Sequence, residues 1–341
     1  MIRDVLETLL AGDDLSPQTT EECFAALMAG EWSEPEQAAF LVALRAKGET
    51  PGEIAAAARV LRSFAVPVAT SRAPLVDTCG TGGDGAHTLN ISTGAALVAA
   101  ACGVAVAKHG NRSVSSKCGS ADVLEALGLP LEMEPEALGA LLDAHGFAFL
   151  FAPRLHPAMR AVMPVRRALG VRTVFNLLGP LANPAGVRRQ VVGVYGPGVM
   201  PLVAGALAEL GAEHAWVVHG EDGLDELSVC APTRVIEVRT GAIAREFTVD
   251  PQRLGIARAS RAELAGPDAA ENAVRLRAIL AGAERSAAAE AIALNAAAAL
   301  VVGGVASDIA GGLESCRAGL ASGAAAAKLD ATVRAAREMA R

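Results

Sequence analysis

Aromatic side chains are scarce in this sequence, which has one tyrosine, two tryptophans and eight phenylalanines among its 341 residues. The chain also lacks an excess of basic residues, because its formal net charge is −7. Proteins that bind single-stranded nucleic acid use aromatic stacking platforms and basic surfaces. Both absences therefore argue against a nucleic-acid-binding function.

Cysteine pairs of the kind that hold a zinc ion are missing. The six cysteines are scattered, with no C-x-x-C pair and no histidine partners at zinc-ligand spacing. The pattern therefore predicts neither a metal knuckle nor a disulfide framework. We interpret these residues as reduced, small apolar side chains: Cys23, Cys79, Cys102, Cys118, Cys230 and Cys316.

Long hydrophobic runs are absent too. No apolar stretch reaches the ~18–20 residues that a membrane-spanning helix needs, and the first residues, Met1 to Asp4, do not resemble a signal peptide. We therefore expect a cytoplasmic protein that does not interact with a membrane. The apolar fraction of 52% and the length suit two domains with sizeable cores.

A glycine-rich stretch dominates what the sequence does contain. The apolar residues 74–76 lead into Asp77 and then the loop Gly80-Thr81-Gly82-Gly83-Asp84-Gly85, and an alanine-rich helix is predicted over 94–102. Glycine backbone can approach a phosphate closely, and a helix N-terminus adds unpaired N–H donors. The loop therefore predicts a phosphate cradle, with a plain β-turn as the alternative. It lacks the Gly-Lys-Ser/Thr ending of a P-loop and the glycine spacing of a dinucleotide fingerprint.

A second polar loop follows the next predicted strand, 104–107. Residues 108–116, Lys-His-Gly-Asn-Arg-Ser-Val-Ser-Ser, bring two cations, an amide and three hydroxyls. In open α/β sheets, ligands bind beyond the carboxyl ends of the strands, where neighbouring connections diverge. Two successive strands with anion-binding loops therefore favour a phosphorylated-sugar site over the alternative of a solvated basic turn.

The N-terminal part of the chain, from position 1 to position 66, has the pattern of four helices. Glycines stand where helices should end, and capping boxes stand where they should begin. These signals are Gly12, Gly30, Gly48, Ser33 with Glu36, and Thr50 with Glu53.

From Leu75 onward, short apolar strands alternate with helices, which is typical of βα units. The predicted fold is therefore α/β, with a small N-terminal all-helical domain and a larger α/β domain whose mostly parallel central sheet is flanked by helices. Strands are predicted at 75–78, 104–107, 147–151, 190–195 and 214–218, with irregular β structure at 229–248. Helices are predicted at 119–127, 135–144, 157–163, 199–210 and over most of 268–340.

Several motifs together resemble one enzyme family. They are GTGGD and NIST at 80–93, KHGNRSVSS at 108–116, GSADVLEALG at 119–128, VRR at 165–167, NLLGPLANP at 176–184 and HGEDGLDELS at 219–228. In this order they are similar to the anthranilate phosphoribosyltransferases of tryptophan biosynthesis. The resemblance implies transfer of a phosphoribosyl group from phosphoribosyl pyrophosphate to the amine of anthranilate, with release of pyrophosphate.

The resemblance also implies an organisation for the chain. Residues 1–70, together with about 165–186, are expected to form the helical domain and the contact of a homodimer. Residues 71–164 and 187–341 are expected to form the α/β domain that binds phosphoribosyl pyrophosphate. Ala182 departs from the family pattern, where a larger apolar residue is common, so packing near the anthranilate entrance stays open.

Site residues are carried over from the family position by position. Two Mg²⁺ ions per monomer are expected, held through Ser92, Asp225 and Glu226, and anthranilate is expected at Gly80, Asn111 and Arg166. Lys108 and His109 are expected to position the substrates, and no residue is assigned as a certain catalyst. Phosphoribosyl pyrophosphate is expected at Gly80, Thr81, Gly82, Gly83, Asp84, Thr88, Asn90, Ile91, Ser92, Thr93, Lys108, His109, Gly110, Asn111, Arg112, Ser113, Val114, Ser115, Ser116 and Ser120.

Chemistry supports the charged members of this set. A guanidinium offers a planar donor fork that matches the carboxylate of anthranilate, which favours Arg166. The adjacent acids Asp225 and Glu226 would repel a polyphosphate unless Mg²⁺ lay between them. Ser120 is predicted to contact the donor, to cap the helix that follows, or to do both. The remaining arginines of this region and the other five histidines are predicted to be structural or exposed: Arg160, Arg167, Arg172, His87, His145, His156, His214 and His219.

Two other functions fit parts of the pattern. A pyrimidine nucleoside phosphorylase has a related fold and its own phosphate loop, but residues 108–112 and 179–184 favour the transferase. A non-catalytic, nucleic-acid-binding relative is the second alternative, and the acidic net charge argues against it.

Overall fold

The computed structural model describes residues 2–113 and 117–340. Its first four helices are α1 (Ile2–Leu10), α2 (Pro17–Ala29), α3 (Glu34–Lys47) and α4 (Pro51–Ser63). The capping boxes at Ser33 and Thr50 are both present, with a proline in the first turn of each helix. Gly30 follows α2 in the left-handed region, at φ 72°, where glycine is the favoured residue. The local signals therefore place these helices correctly.

The α/β part is built on one seven-stranded sheet. Its strands are β1 (Leu75–Asp77), β2 (Ala105–Gly110), β3 (Phe147–Phe151), β4 (Arg189–Gly193), β5 (His214–Gly220), β6 (Thr233–Arg239) and β7 (Ala242–Val249). Their order across the sheet is β3-β2-β1-β4-β5-β6-β7. The first five strands run parallel, and β6 and β7 add an antiparallel hairpin. The predicted fold class, a helical domain joined to a mostly parallel sheet, is confirmed.

Helices cover both faces of this sheet. The other helices of the described residues are α5 (Ile91–Ala101), α6 (Ser120–Ala126), α7 (Pro135–His145), α8 (Ala152–Leu155), α9 (Met163–Leu169), α10 (Phe175–Leu178), α11 (Met200–Glu209), α12 (Ala269–Leu280), α13 (Ala287–Gly303), α14 (Ile309–Ala321) and α15 (Ala324–Met339). None of the helices in 2–113 and 117–340 is long and apolar enough to cross a membrane.

Alternate residues of the central strands face two different cores. Val192, Val217 and Ile236 belong to a core shared with the N-terminal helices and α11. Val191 and Val218 belong to the opposite core, with α5 and α13. The helical domain and α11 therefore lie on one face of the sheet, and α5 and α13 support the sheet from the other face.

Three sequence-based boundaries are wrong. The helix predicted at 157–163 is a 3₁₀ turn, Pro157–Ala161, followed by α9, because Pro164 is tolerated only in the first turn of a helix. The stretch 229–248 resolves into a hairpin that begins only at Thr233. Strand β2 continues to Gly110, because it pairs along its length with β3. Lys108 and His109 therefore lie on a strand and not in a loop.

Candidate active site

The glycine loop lies at the point where the chain changes direction across the sheet. From β1 the chain passes to β2 and β3 on one side, then returns to β4 on the other. The loop after β1 contacts the end of β4, since the N–H of Thr81 donates to the carbonyl of Gly193 at 2.8 Å. Gly82 and Gly83 have φ values of 64° and 82°, which suit glycine. The crevice expected for an open α/β sheet is therefore present.

The first turn of α5 faces this crevice. Asn90 precedes the helix but does not cap it, because its side chain donates to the carbonyl of Cys118 at 3.2 Å and accepts from Asn272 at 3.2 Å. Gly94 packs so tightly on α13 that an added Cβ would lie 2.7 Å from Ile292 Cδ1. Ile91 and Thr93 are buried, and Thr88 is held by a β-bridge to Ala265. The helix N-terminus is therefore held rigidly, with N–H groups suited to an anion.

Three carboxylates are close together at the glycine loop. Asp84 belongs to the loop, and Asp225 and Glu226 come from the segment after β5. Asp225 Oδ2 accepts the N–H of Gly82 at 2.8 Å, and the N–H of Asp225 lies 3.5 Å from Asp84 Oδ2. Burial and the charge of Asp84 raise the pKa of Asp225 to about 7. Burial and the charge of Asp225 hold the pKa of Glu226 well above its usual value. Crowded, poorly hydrated acids of this kind favour a bound cation.

The acids alone do not complete a metal site. Within 2–113 and 117–340, no group of three His, Cys, Asp or Glu side chains has metal-binding geometry. Mg²⁺ typically takes one or two protein carboxylates, and substrate phosphates and waters supply the rest. The backbone of Ser92 acts on the pKa of Glu226, so the expected ligands Ser92, Asp225 and Glu226 are close together and fit such a partial site.

Lys108 is a buried cation beside these acids. Its ammonium group donates to the carbonyl of Thr78 at 3.2 Å and lies 3.3 Å from both the Thr78 and Ser92 hydroxyls. Its charge also acts on Glu226, where it opposes the rise in the pKa. The end of β2 therefore places one positive charge between the glycine loop and the first turn of α5.

His109, the next residue on β2, points to the other side of the sheet from Lys108, towards Gly179 and His156. Its Nδ1 lies 3.1 Å from the carbonyl of Gly179, and its ring is 5.0 Å from that of His156. Burial and His156 lower the pKa of His109 to about 3, so the ring is neutral near pH 7. Nε2 of each ring has no hydrogen-bond partner among the described residues. A neutral, fixed ring suits a positioning role better than proton storage.

The second loop is organised around Asp122. Its carboxylate accepts the N–H groups of Ser113 and Gly119, and Arg112 pairs with it at 3.0 Å. Arg112 also pairs with Glu125 at 2.7 Å, so in this structure its guanidinium is engaged by acids. The expected donor contacts Val114, Ser115 and Ser116 lie outside the described residues.

Ser120 does not cap the helix that follows, so that alternative is wrong. It is the first residue of α6, and Gly119 is the N-cap residue. The Ser120 hydroxyl donates to the carbonyl of Asn111 at 3.2 Å. Gly110 is required behind it, because an added Cβ would lie 2.3 Å from Ser120 Oγ. Ser120 therefore ties the start of α6 to the end of β2.

Arg166 on α9 is half-buried and has no carboxylate partner in the described part of the chain. Its guanidinium lies over the ring of Phe175, 5.0 Å from the centroid, and burial lowers its pKa. Arg160 and Arg167 are exposed, as predicted. Arg166 is thus the half-buried arginine of this group, and its donors remain available to a carboxylate.

Arg172 contacts the glycine loop, which the sequence did not predict. It is exposed, but it donates to the carbonyl of Gly83, and its guanidinium stacks 4.0 Å from the centroid of Tyr195. Residues 170–183 also approach the sheet, because Asn183 donates to Asp77 Oδ2 at 2.7 Å. Spacing alone gave no sign that this segment touches the glycine loop.

Comparison with known proteins agrees with this geometry. Residues 3–65 match the helical bundle domain of a glycosyl transferase family, and residues 72–326 match its a/b domain. An anthranilate phosphoribosyltransferase of Desulfatibacillum aliphaticivorans is 50% identical over 334 residues, which are 98% of each chain. This chain belongs to the anthranilate phosphoribosyltransferase family.

Solved members of the anthranilate phosphoribosyltransferase family share the whole architecture. The enzyme of Thermus thermophilus superposes with a TM-score of 0.93 at 48% identity, over 98% of this chain and 99% of its own. The Saccharomyces cerevisiae enzyme, solved in complex with PRPP and Mg, has a TM-score of 0.92 at 26% identity, over 99% and 98% of the two chains.

Proposed function

We propose that this chain transfers the phosphoribosyl group of 5-phosphoribosyl 1-pyrophosphate to the amine of anthranilate, giving N-(5-phosphoribosyl)anthranilate and pyrophosphate in tryptophan biosynthesis. The observation that carries the proposal is the glycine loop at the sheet's switch point, with buried acids and the ammonium group of Lys108 beside it. Such a loop suits a ligand that carries both phosphate and magnesium. The family relationship supplies the identity of the two substrates.

The donor would bind along the glycine loop, the first turn of α5 and the second loop. Backbone N–H groups of Gly82 and Gly83 and the N-terminus of α5 are suited to phosphate oxygens. Asp84, Asn90 and Lys108 would surround the pyrophosphate and the ribose. Arg112 would have to leave its acidic partners, or act by neutralising them, to contribute.

Magnesium would be held through Ser92, Asp225 and Glu226, with two ions per monomer. When bound, it neutralises charge on the departing pyrophosphate. Asp225 also accepts the N–H of Gly82, so the same carboxylate fixes the conformation of the glycine loop. Loop shape and metal affinity therefore depend on one side chain.

The acceptor would bind on the helical-domain side of the crevice. Arg166 would pair with the carboxylate of anthranilate, and Asn111 and Gly80 would complete the pocket. His109 would position the acceptor through its neutral ring, while the amine attacks C1′ of the ribose and loses its proton afterwards. Catalysis on this view is alignment and charge neutralisation, without a covalent intermediate.

The organisation of the chain is part of the proposal. Residues 1–70 with about 165–186 would form the helical domain, and residues 71–164 and 187–341 the α/β domain. Family matches at 3–65 and 72–326 support a boundary near residue 70. The chain would work as a cytoplasmic homodimer through its helical domain, with small-molecule substrates and no nucleic-acid partner.

Product analysis tests the reaction directly. Anthranilate, phosphoribosyl pyrophosphate and Mg²⁺ should yield phosphoribosylanthranilate, whereas phosphorolysis of thymidine or uridine with no such product would favour the phosphorylase. Absence of both activities, with nucleic acid bound instead, would favour the non-catalytic relative.

The metal assignment needs a separate experiment. Asp225→Asn combined with Glu226→Gln should abolish most turnover and shift the Mg²⁺ optimum upward, since two anionic ligands are lost. Glu221→Gln is the matched control, because Glu221 is exposed at the same turn. Activity is titrated against free Mg²⁺ for all three proteins. Superimposable curves for the double variant and the control would remove the pair from the mechanism.

A further inference from the structure

Two cysteine thiols meet at the end of α5 that lies farthest from the glycine loop. Cys102 directly follows α5, and Cys316 lies on α14. The two thiols lie close enough for each to act on the pKa of the other. Cys102 Sγ also lies 3.6 Å from the carbonyl of Ser315, and a Cβ added at Gly319 would come within 2.9 Å of it. The Cys102 sulfur therefore rests on one face of α14, beside Cys316.

The two thiols differ in access. Cys102 is half-buried at the helix end, whereas Cys316 is completely buried. A small solute can therefore reach the first sulfur and not the second. The contact with Cys316 lowers the pKa of Cys102, and the same contact raises the pKa of Cys316. A partly accessible thiol with more thiolate character, next to a buried partner, is the arrangement of a reactive and a resolving cysteine.

We propose that Cys102 and Cys316 form a reversible dithiol site that reacts with hydroperoxides. The Cys102 thiol attacks one peroxide oxygen and becomes a sulfenic acid, releasing water from hydrogen peroxide. The Cys316 thiol then attacks the sulfenic sulfur, which forms the disulfide and releases a second water. The two sulfurs lose two electrons in all, which reduce the peroxide. A dithiol reductant restores both thiols by exchange.

Because the two thiols are already close, Cys316 can attack the sulfenic acid of Cys102 without a large rearrangement. Cys102 and Cys316 are separated by most of the α/β domain in sequence, yet α5 and α14 are already packed together. No large movement is needed before the disulfide forms. The other four cysteines, Cys23, Cys79, Cys118 and Cys230, differ because burial raises the pKa of each. Neither Cys102 nor Cys316 belongs to the proposed substrate site, so this chemistry is separate from phosphoribosyl transfer.

Mass spectrometry of the full chain tests the proposal. The reduced protein is treated with a small excess of hydrogen peroxide, blocked with an alkylating reagent and digested with trypsin. We expect the peptide 73–108 joined to the peptide 286–317, with the mass of both less two hydrogens. Because 73–108 also contains Cys79, fragment ions must place the bond at Cys102. A bond at Cys79, or oxidation of Cys102 without a bond, would overturn the proposal.

Single variants separate the two roles. Cys102→Ser should abolish the cross-link, and Cys316→Ser should leave a sulfenic acid at Cys102 that a dimedone probe captures at least ~10-fold more than in the wild type. Cys230→Ser is the matched control and should form the cross-link as the wild type does. The pH at which Cys102 is half alkylated should rise in Cys316→Ser, because the stabilising contact is lost. Equal probe capture and an unchanged alkylation pH would show that Cys316 is only a packing residue.

Discussion

Arg166 lies half-buried against an aromatic ring, with no acid beside it in the described part of the chain. A partly buried guanidinium without an acidic partner in the protein is rare unless a bound anion pairs with it. Arg166→Ala should raise the KM for anthranilate roughly 10- to 100-fold, the loss expected for a charge-assisted bidentate contact of about 1.5–3 kcal/mol. The KM for phosphoribosyl pyrophosphate should change far less. Arg167→Ala, at an exposed neighbour, is the control.

Steady-state kinetics with each substrate varied in turn measures this effect. If both constants of Arg166→Ala stay within about twofold of the wild type, Arg166 does not bind the acceptor. A parallel rise in both constants would instead indicate a disturbed segment rather than a lost contact.

His156 makes the stability of the protein depend on pH. Burial lowers its pKa from 6.5 to about 4, so the unfolded chain binds the proton more tightly than the folded one. The stability that this adds is present above pH 6.5 and is lost as the pH falls towards about 4. At pH 5 the loss is about 2 kcal/mol. Asp77 and Asp225, whose pKa values are raised, act in the opposite direction, so only a difference between proteins isolates the histidine.

Urea unfolding at pH 7 and pH 5 of the wild type and His156→Gln provides that difference. The variant should lose about 2 kcal/mol less between the two pH values than the wild type. Equal losses would mean that His156 is protonated in the folded protein as readily as in the unfolded one. His145→Gln, at a histidine with intermediate exposure, serves as the control.

At the scale of elements, the glycine loop depends on positive φ angles, which residues with a side chain rarely adopt. Gly83→Val should abolish donor binding, because φ is 82° and the new side chain would meet Arg172. Gly82→Val should act similarly through its φ of 64°. Gly255→Val places the same strain, at φ 72°, in open space away from the loop. Calorimetric titration with phosphoribosyl pyrophosphate should detect binding only for the wild type and Gly255→Val; an unchanged isotherm for Gly83→Val would rule out the cradle.

The two capping boxes should differ greatly in what they contribute. Glu53 is buried, and it accepts from the N–H of Leu15 at 2.9 Å and pairs with Lys47 at 2.9 Å. The hydrogen bonds of Glu36 within the described residues go to Ser33, at an exposed helix end. Glu53→Ala should destabilise the protein by about 3 kcal/mol, since the buried Lys47 loses a partner, and Glu36→Ala by about 1 kcal/mol. Chemical denaturation measures both, and similar losses would contradict this ranking.

Local patterns predicted these helix ends because the signals act within one turn. The strands of the parallel sheet were also predictable, as short apolar runs between helices. Lys108 and His109 were placed in a loop because nothing local marks the pairing of β2 with β3. The contact of Arg172 with Gly83, and that of Asp225 with Gly82, join residues far apart in sequence. Such contacts arise from the packing of the elements. No local sequence pattern predicts that packing.

At the scale of the whole molecule, the proposed dimer should depend on apolar side chains of the helical domain. Leu10 and Val42 are 74% and 45% exposed, on helices that pack together. Leu10→Asp combined with Val42→Glu should give monomers in sedimentation experiments, because charges at an apolar interface lose their hydration. Ile243→Glu, at a similarly exposed residue of the edge strand β7, should leave the dimer intact. A monomeric wild type would exclude the proposed dimer outright.

The contact at Gly193 has consequences for how this enzyme can vary. A Cβ at that position would fall 1.5 Å from the carbonyl oxygen of Asp225, while the Gly193 carbonyl itself accepts from Thr81. One missing side chain therefore keeps the proposed metal ligands and the proposed phosphate loop in register. No second change elsewhere can easily restore the lost space, because the obstacle is backbone. In a selection for growth without tryptophan, a library randomised at this codon should return glycine alone, whereas codons of the exposed Arg167 should return a wide spectrum.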